Sequence, residues 1–416
     1  MVRLIAEALC NHGGSGHAAF DAAHTQGQLP ATAQAAYGKL RRMPIAVSEA
    51  LLNEGAPPLR AAYPQAAHRP LPPCVQGFEV FALDGKAIKR VAKRLKPLRR
   101  RSGGVLGGRA LVALSLRRGL VEAMAAHPDG DANDVRFTAQ VMATLRRDDT
   151  ASTPKRLWVA DRQFCTLCFM DGCAQGHDEF LVRQHQQLGF QLDASRPARS
   201  GTDAEGRCWT EQWGWAGSPQ DARRRAVRRI RLELSAKDSL VLLTSLLDAE
   251  QFPAAELLEV YRGRWGIERV FQQVTEVFGL QGLIGCSALA SVFQFAFCLM
   301  LYNLLQLLRA YVAAGQRQAV ESISVEKLFE DAKKQLIAWG ELGDVEQTVA
   351  LYEQPLSAAA VQARLARTVG VLWKERWRKS PPQKRRRQPP HRGRVMSHVS
   401  VYRVMEKYRR THKKSA

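Results

Sequence analysis

Apolar and polar positions change their pattern near residue 78. Residues 1–76 show short helical spacings broken by Gly and Pro; one, over residues 31–52, carries a basic Lys39-Leu40-Arg41-Arg42 turn and a break at Pro44. Beyond it, Phe78-Glu79-Val80-Phe81-Ala82-Leu83 is apolar but for Glu79 and ends on Asp84-Gly85. A short apolar run closed by a turn predicts a strand buried on both faces. Residues 110–116 and 120–125 flank Arg117-Arg118-Gly119 and predict a hairpin. Residues 131–145 predict a helix with Asp and Asn at its start. Residues 157–160 predict a short strand running into Asp161, followed by a helix and a further strand over 179–183. Residues 228–234 alternate from Ile230 onward and 240–246 are apolar, so 185–250 read as a β-rich insertion. Residues 254–280 then predict a long helix, and 289–312 a second, almost wholly apolar one.

This pattern implies an α/β chain. Residues 1–76 form a helical region, either a small DNA-binding unit or a plain helical cap, and its abrupt start leaves room for a segment upstream. A core spans 77–184 and resumes over 251–345, with the insertion at 185–250 between its halves. A helical region (346–379) and a Pro-, Arg- and Lys-rich tail (380–416) follow; the tail is expected to stay disordered without its partner, the alternative being that residues 399–408 form a short amphipathic helix docked on the core or on a partner subunit. Residues 289–308 are apolar enough to raise the question of a membrane span. Gln294, Asn303 and Gln306 interrupt them, so a buried core helix is the expectation and no membrane is implied.

The charge narrows the class of partner. The chain has 416 residues, 46% of them apolar, and a net charge of +22. Residues 86–101 hold nine Lys and Arg and no acid, and residues 374–416 hold sixteen against Glu375 and Glu406. These two segments account for the whole excess. Charge concentrated in this way is the footprint of a polyanion, because binding releases counterions condensed on phosphates. No basic region precedes an apolar core at the N-terminus, and eight cysteines are too few in a chain this long for a disulfide framework. A reducing cytoplasm is the expected location.

Three acids share one habit: Asp84 and Asp161 each end a predicted strand, and Glu268 lies on a predicted helix. Cutting a phosphodiester at neutral pH requires a strong nucleophile and a stabilised leaving oxygen. Two Mg²⁺ ions about 4 Å apart supply both, and carboxylates on neighbouring strand ends can hold them. In YRGRWGIERVFQQVT, Tyr261, Arg264, Glu268 and Thr275 fall on one helical stripe, where Tyr and Arg could hold a phosphate beside the metals. The plain reading is an ordinary i,i+4 ion pair between Arg264 and Glu268. Chemistry alone leaves both standing.

These residues resemble the motifs of the DDE transposases of bacterial insertion sequences, in the group whose third motif is Tyr-x2-Arg-x3-Glu-x6-Lys. Leu83-Asp84-Gly85 is similar to the first motif, and Trp158-Val159-Ala160-Asp161-Arg162-Gln163-Phe164-Cys165-Thr166 to the second. Leu181-Val182-Arg183-Gln184-His185 is similar to the strand that opens the inserted domain, and Tyr261 to Glu268 to the third motif. The likeness runs from about residue 30 to residue 312. It implies an RNase H-like catalytic core with a β-rich insertion between the second and third acids. It also implies Mg²⁺ or Mn²⁺ held by Asp84, Asp161 and Glu268, and a phosphate steadied by Tyr261 and Arg264. Arg162 and Lys86, beside two of the acids, join the expected DNA contacts. Thr275 stands in place of the Lys, Lys86 in place of a small or amide residue, and Gln163 in place of Gly or Asn. The partners implied are double-stranded transposon ends, target DNA and a second copy of the chain. The activity implied is cleavage at transposon ends and strand transfer; the alternative is a catalytically impaired, transposase-derived DNA-binding protein.

Other signals compete. Cys165, Cys168, Cys173 and His177 have the spacing of a zinc knuckle, but Cys165 and Cys168 fit equally as small core residues on a helix. Asp129, Asp131 and Asp134 are read as a turn and helix cap. Trp209, Trp213 and Trp215 in the insertion either pack in the core or stack on an unpaired base of DNA.

Overall fold

The computed structural model describes residues 2–13, 15–27, 29, 31–89, 93, 95–101, 103–235, 238–278, 286–342, 356–380 and 398–413. Five short helices open the chain: α1 (Val2–Asn11), α2 (Gly16–Thr25), α3 (Ala33–Arg41), α4 (Ile45–Asn53) and α5 (Ala56–Ala62). The core follows with β1 (Glu79–Ala87), β2 (Gly104–Leu106), β3 (Arg109–Ser115), β4 (Val121–His127), α6 (Thr138–Arg146), β5 (Arg156–Ala160), α7 (Leu167–Gln175) and β6 (Glu179–Arg183). The insertion supplies β7 (Phe190–Leu192), β8 (Arg199–Thr202), β9 (Cys208–Ala216), β10 (Arg225–Ser235) and β11 (Asp238–Thr244). Helices α8 (Ala254–Gly263), α9 (Trp265–Glu276), α10 (Ala288–Gly315), α11 (Val325–Leu342) and α12 (Ala358–Thr368) come next, and the chain ends in β12 (His398–Ser400) and α13 (Val401–Lys413).

One sheet organises the molecule, in the order β4-β3-β1-β5-β6-β11-β10-β9-β7, with β8 on β9. The first three strands are antiparallel, and β1, β5 and β6 run parallel. That order and sense is an RNase H-like core. The insertion continues the same sheet, because β11 pairs antiparallel with β6. Along β1, Val80 and Ala82 enter one apolar cluster with α8, α9 and α10, while Phe81 and Leu83 enter a second with α6 and α7. Both faces are covered, which is why these strands read as unbroken apolar runs.

Strand β4 lies at the sheet's edge, where unpaired backbone groups are a liability. Three side chains satisfy them. Asn303 on α10 accepts from Val121 N at 2.8 Å and donates to Val121 O at 2.7 Å. Asn53 on α4 does the same for Met124, at 2.8 and 3.0 Å. Glu49 accepts from Ala126 N at 2.7 Å. Asn303, one of the polar residues that interrupt α10, therefore has work inside the protein. Although α10 is long and apolar enough to cross a membrane, most of it is buried against the sheet and the N-terminal helices.

Several expectations change. The helix expected over 131–145 begins only at Thr138, because Asp134 turns inward and a tight 3-10 turn, Asp134–Phe137, precedes it. The long helix expected from 254 is interrupted at Arg264, whose N bonds to Tyr261 O in a tighter turn; the flanking Gly263 and Gly266 disfavour a regular helix, and residues 279–285 lie outside the described set. The tail is not wholly free of the fold, since β12 pairs with β2 and α13 packs beside it. Its segment 381–397 lies outside the described residues.

The edge caps make a prediction. Asn303→Leu strands two buried backbone groups of Val121 and should destabilise the protein by about 1–3 kcal/mol in denaturant unfolding. A change within about 0.5 kcal/mol, the range of ordinary surface substitutions, would mean that the edge does not depend on this side chain.

Candidate active site

Strands β1 and β5 pair in parallel as far as Leu83 opposite Ala160, so the next residues, Asp84 and Asp161, stand side by side where that pairing ends. Asp161 lies just past β5, whereas β1, expected to end at Asp84-Gly85, runs on to Ala87 because β3 keeps it paired. Side chains alternate along a strand. Val80, Ala82 and Asp84 share one parity on β1, and Leu157, Val159 and Asp161 share one on β5. Both acids therefore fall on the face packed by α8 and α9. Residues Ile267, Val270, Phe271 and Val274 anchor α9 in that core, which leaves Arg264 and Glu268 directed at the strand ends.

Arg264 lies at the centre of this group. It is only 5% exposed. Its Nη2 donates to Glu268 Oε1 at 3.1 Å, and its guanidinium lies 5.7 Å from the Tyr261 ring and 5.4 Å from the Trp265 ring. Burial works against its charge, but Tyr261, Asp161, Asp84 and Glu268 outweigh it and raise its pKa. Asp84 shows the reverse strain. Burial pushes its carboxyl up to about 6; the Gly85 N–H and Arg264 pull it down, and Glu268 and Asp134 add repulsion. Burial likewise lifts the Tyr261 phenol to about 12, opposed by Arg264 and reinforced by Asp161. Asp84, Asp161, Tyr261, Arg264 and Glu268 thus occupy one electrostatic neighbourhood. Thr275 turns its hydroxyl to Phe271 O at 2.6 Å on its own helix.

Behind the acids lies a layer that the sequence reading took for a turn. Asp134 is buried, pairs with Arg109 and accepts from Gln163 Nε2 at 3.2 Å. A methyl group at Gly85 would overlap its carboxylate, which is why glycine follows Asp84. Gln163, in place of Gly or Asn, is thereby part of the support. The exposed Trp265 beside Arg264 was also passed over; its only signal was its place within the third motif.

The other expected residues are dispersed. Lys86 is half-buried with its ammonium 5.3 Å from the Phe271 ring, and burial together with Lys89 lowers its pKa. Arg162 is exposed on a cleft of about 700 Å³ lined by Arg109, Asn133, Thr166, His185 and Arg223. Trp213 is buried, donates from Nε1 to Leu247 O at 2.8 Å and has Arg228 beside its ring. It cannot stack on a base from that position. Trp209 packs over Gly201 and Trp215 under Arg224, both half-buried. Cys165 and Cys173 are buried, which raises both thiols, whereas Cys168 is exposed, so they do not converge as a zinc site would.

A family model for the transposase DDE domain matches residues 76–304, more than half of the chain. The chain belongs to the DDE transposase family. The matched span runs from just before β1 into α10 and includes all three acids. None of the curated proteins matches the chain. Among solved structures, a piggyBac transposase synaptic complex with hairpin DNA aligns at 12% identity and a TM-score of 0.34. The alignment covers 73% of this chain and 60% of that one.

Transposases of this family use divalent metal ions in general, and the donor set here is all oxygen, as Mg²⁺ and Mn²⁺ prefer. Among the described residues no three acidic, His or Cys side chains are close enough to hold a metal by themselves. The acids surround Arg264 instead. The high pKa of Asp84 shows that Arg264 does not fully compensate the buried carboxylate, so a further cation fits the charge of this site.

The sign of that shift yields a prediction. With a folded pKa near 6 against 3.8 in the ordinary carboxyl, Asp84 favours folding below about pH 4, and that contribution is lost as pH rises through 6. In the presence of a chelator, Asp84→Asn should therefore be more stable than the parent at about pH 7.5, by roughly 1–3 kcal/mol. The difference should vanish near pH 4. A variant less stable at both pH values would show that the carboxylate is already neutralised in the fold.

Proposed function

We propose that this transposase cuts DNA at transposon ends and joins the freed 3′-hydroxyl to target DNA, with Asp84, Asp161 and Glu268 as metal ligands. The register that sets Asp84 beside Asp161, on the face where α9 presents Glu268, is the observation that carries this reading. Mg²⁺ or Mn²⁺ bound there would supply an activated water and stabilise the leaving oxygen. In the first step water attacks the phosphorus at the transposon end, and the 3′-oxygen leaves as a hydroxyl. In the second, that hydroxyl attacks a target phosphodiester and expels another 3′-oxygen, so the number of ester bonds is conserved.

The protein's own groups position the substrate. Arg264, held by Glu268 and the Tyr261 ring, presents a planar donor to a phosphate oxygen, and Tyr261 adds a hydroxyl beside it. Arg264 would exchange its carboxylate partner for a phosphate oxygen, and Asp84, Asp161 and Glu268 would then be the residues that hold the metal. Arg162 and Lys86 add positive charge at the margins of the site. Of the three tryptophans on β9, Trp209 and Trp215 retain enough exposed surface to be proposed as DNA contacts. Because two transposon ends must be joined in one event, the acting form is proposed to be a homodimer on duplex DNA, in the cytoplasm at the chromosome.

One observation favours the alternative of a catalytically impaired DNA-binding protein. Thr275 brings no cation to the position of the third-motif lysine, and its hydroxyl is spent on its own helix. Cleavage decides between the two. Purified protein should nick DNA carrying its transposon ends in Mg²⁺ or Mn²⁺. Asp84→Ala, Asp161→Ala and Glu268→Ala should each reduce nicking by at least about 1,000-fold, the scale on which a metal-dependent step depends on its ligands. DNA affinity should change little. Cleavage that survives Glu268→Ala would remove Glu268 from the ligand set, and binding without any cleavage by the parent protein would establish the alternative.

A further inference from the structure

The two basic segments lie at opposite ends of the core in sequence, yet the fold seats them together. Strand β12 pairs in parallel with β2, with His398 opposite Gly104, Val399 opposite Val105 and Ser400 opposite Leu106. Helix α13 then packs on the turn Lys96–Leu98 and buries Val401 and Val404, while Leu98 is buried beneath it. The loop after β4 locks the joint. Gly130 N donates to Ser400 Oγ at 3.2 Å, Arg403 Nε donates to Asp129 Oδ2 at 2.7 Å, and Arg403 Nη1 lies 3.6 Å from Asp131. Leu106 fills the space where a side chain at Gly130 would project.

What this joint turns outward is cationic. Lys96, Arg100 and Arg101 are exposed on the turn, and Lys407, Arg409 and Arg410 on α13. The one acid on α13, Glu406, pairs with Arg410 at 3.1 Å. Farther along, the loop that locks the joint delivers Asp134 to Gly85 of β1, next to Asp84. The basic surface and the acidic site therefore share one support.

We propose that the 96–101 turn and α13 form a single surface that binds the sugar-phosphate backbone of duplex DNA next to the point of cutting, without reading its bases. The choice of DNA rests on the function proposed above. Separated lysines and arginines suit a regular array of phosphates. An anionic membrane would require an apolar face exposed beside the cations, and the apolar residues Val401 and Val404 of α13 are turned inward.

The test uses the full-length protein and a duplex of mixed sequence, with binding measured across a salt titration. Arg100→Ala with Arg101→Ala, and separately Lys407→Ala with Arg409→Ala, should each flatten the plot of log K against log salt by about 1.8, since each phosphate contact contributes about 0.9. Melting temperatures should stay unchanged. On a duplex carrying the transposon end, where the protein holds one position, hydroxyl-radical footprints should show both pairs uncovering the same stretch of DNA. A slope altered by one pair alone, separate footprints, or weakened binding to phosphatidylserine vesicles with the DNA slope intact would each overturn the proposal. The slopes speak only to this surface, and cleavage by the parent protein only to the function, so either can fail without the other.

Discussion

The parallel pairing of β1 with β5 is the constraint on which the site depends. With Leu83 opposite Ala160, two residues far apart in the chain become neighbours without any dedicated contact between them. A slip of one residue in either strand would reverse the parity of every side chain along it. Asp84 or Asp161 would then enter the apolar layer with α6 and α7, and Leu83 or Ala160 would face α9. The strands are buried on both sides, so a slip would also bring mismatched side chains into two packed cores at once. Register is therefore specified by the same burial that makes a charged strand end costly.

That cost is managed by pairing. Charges taken out of water are tolerated only with partners and hydrogen bonds. Arg264, placed at the break between α8 and α9, faces Asp84, Asp161 and Glu268 together. Asp134 is held by Arg109 and Gln163, and it closes over Gly85. The insertion uses the same device: Arg228 is fully buried, pairs with Glu211 and donates to Phe252 O at 2.7 Å, just before α8 begins. That link ties the added strands to the helix pair that carries Tyr261, Arg264 and Glu268. The insertion is thus a lateral extension of the sheet that helps to hold those helices in place.

How much of this was legible in the sequence depends on the distance over which each feature is decided. The strands that carry or lead into Asp84 and Asp161 and the apolar helix α10 were readable because an apolar run is a local pattern, but the end expected at Asp84-Gly85 was not there, since pairing with β3 carries β1 on to Ala87. The helix bearing Glu268 was readable too, since its stripe repeats within a few turns, although the break at Arg264 was not. Asp134 was not legible as a support. Its local sequence is that of a turn, and its partner Arg109 lies on a different strand. Nor were the edge caps, where Asn53 and Asn303 reach strand β4 across 71 and 182 residues. The pairing of β12 with β2 was hidden for the same reason, whereas the amphipathic spacing over 399–408 did point to a docked helix, which the structure supplies as α13. The tryptophans of β9 show the limit from the other side: alternation placed Trp209, Trp213 and Trp215 on one face, but only the packing shows that Trp213 is enclosed.

Asp84, Asp161 and Glu268 are proposed to share one divalent-metal site. Iron(II) bound in place of magnesium generates hydroxyl radicals that cut the polypeptide only close to the ion, so the cut positions report the ligands directly. With ascorbate and peroxide, the protein should be cut near residues 84, 161 and 268, and excess Mg²⁺ should suppress all three cuts together. Cuts confined to one of these positions, or lying elsewhere in the chain, would contradict a shared site.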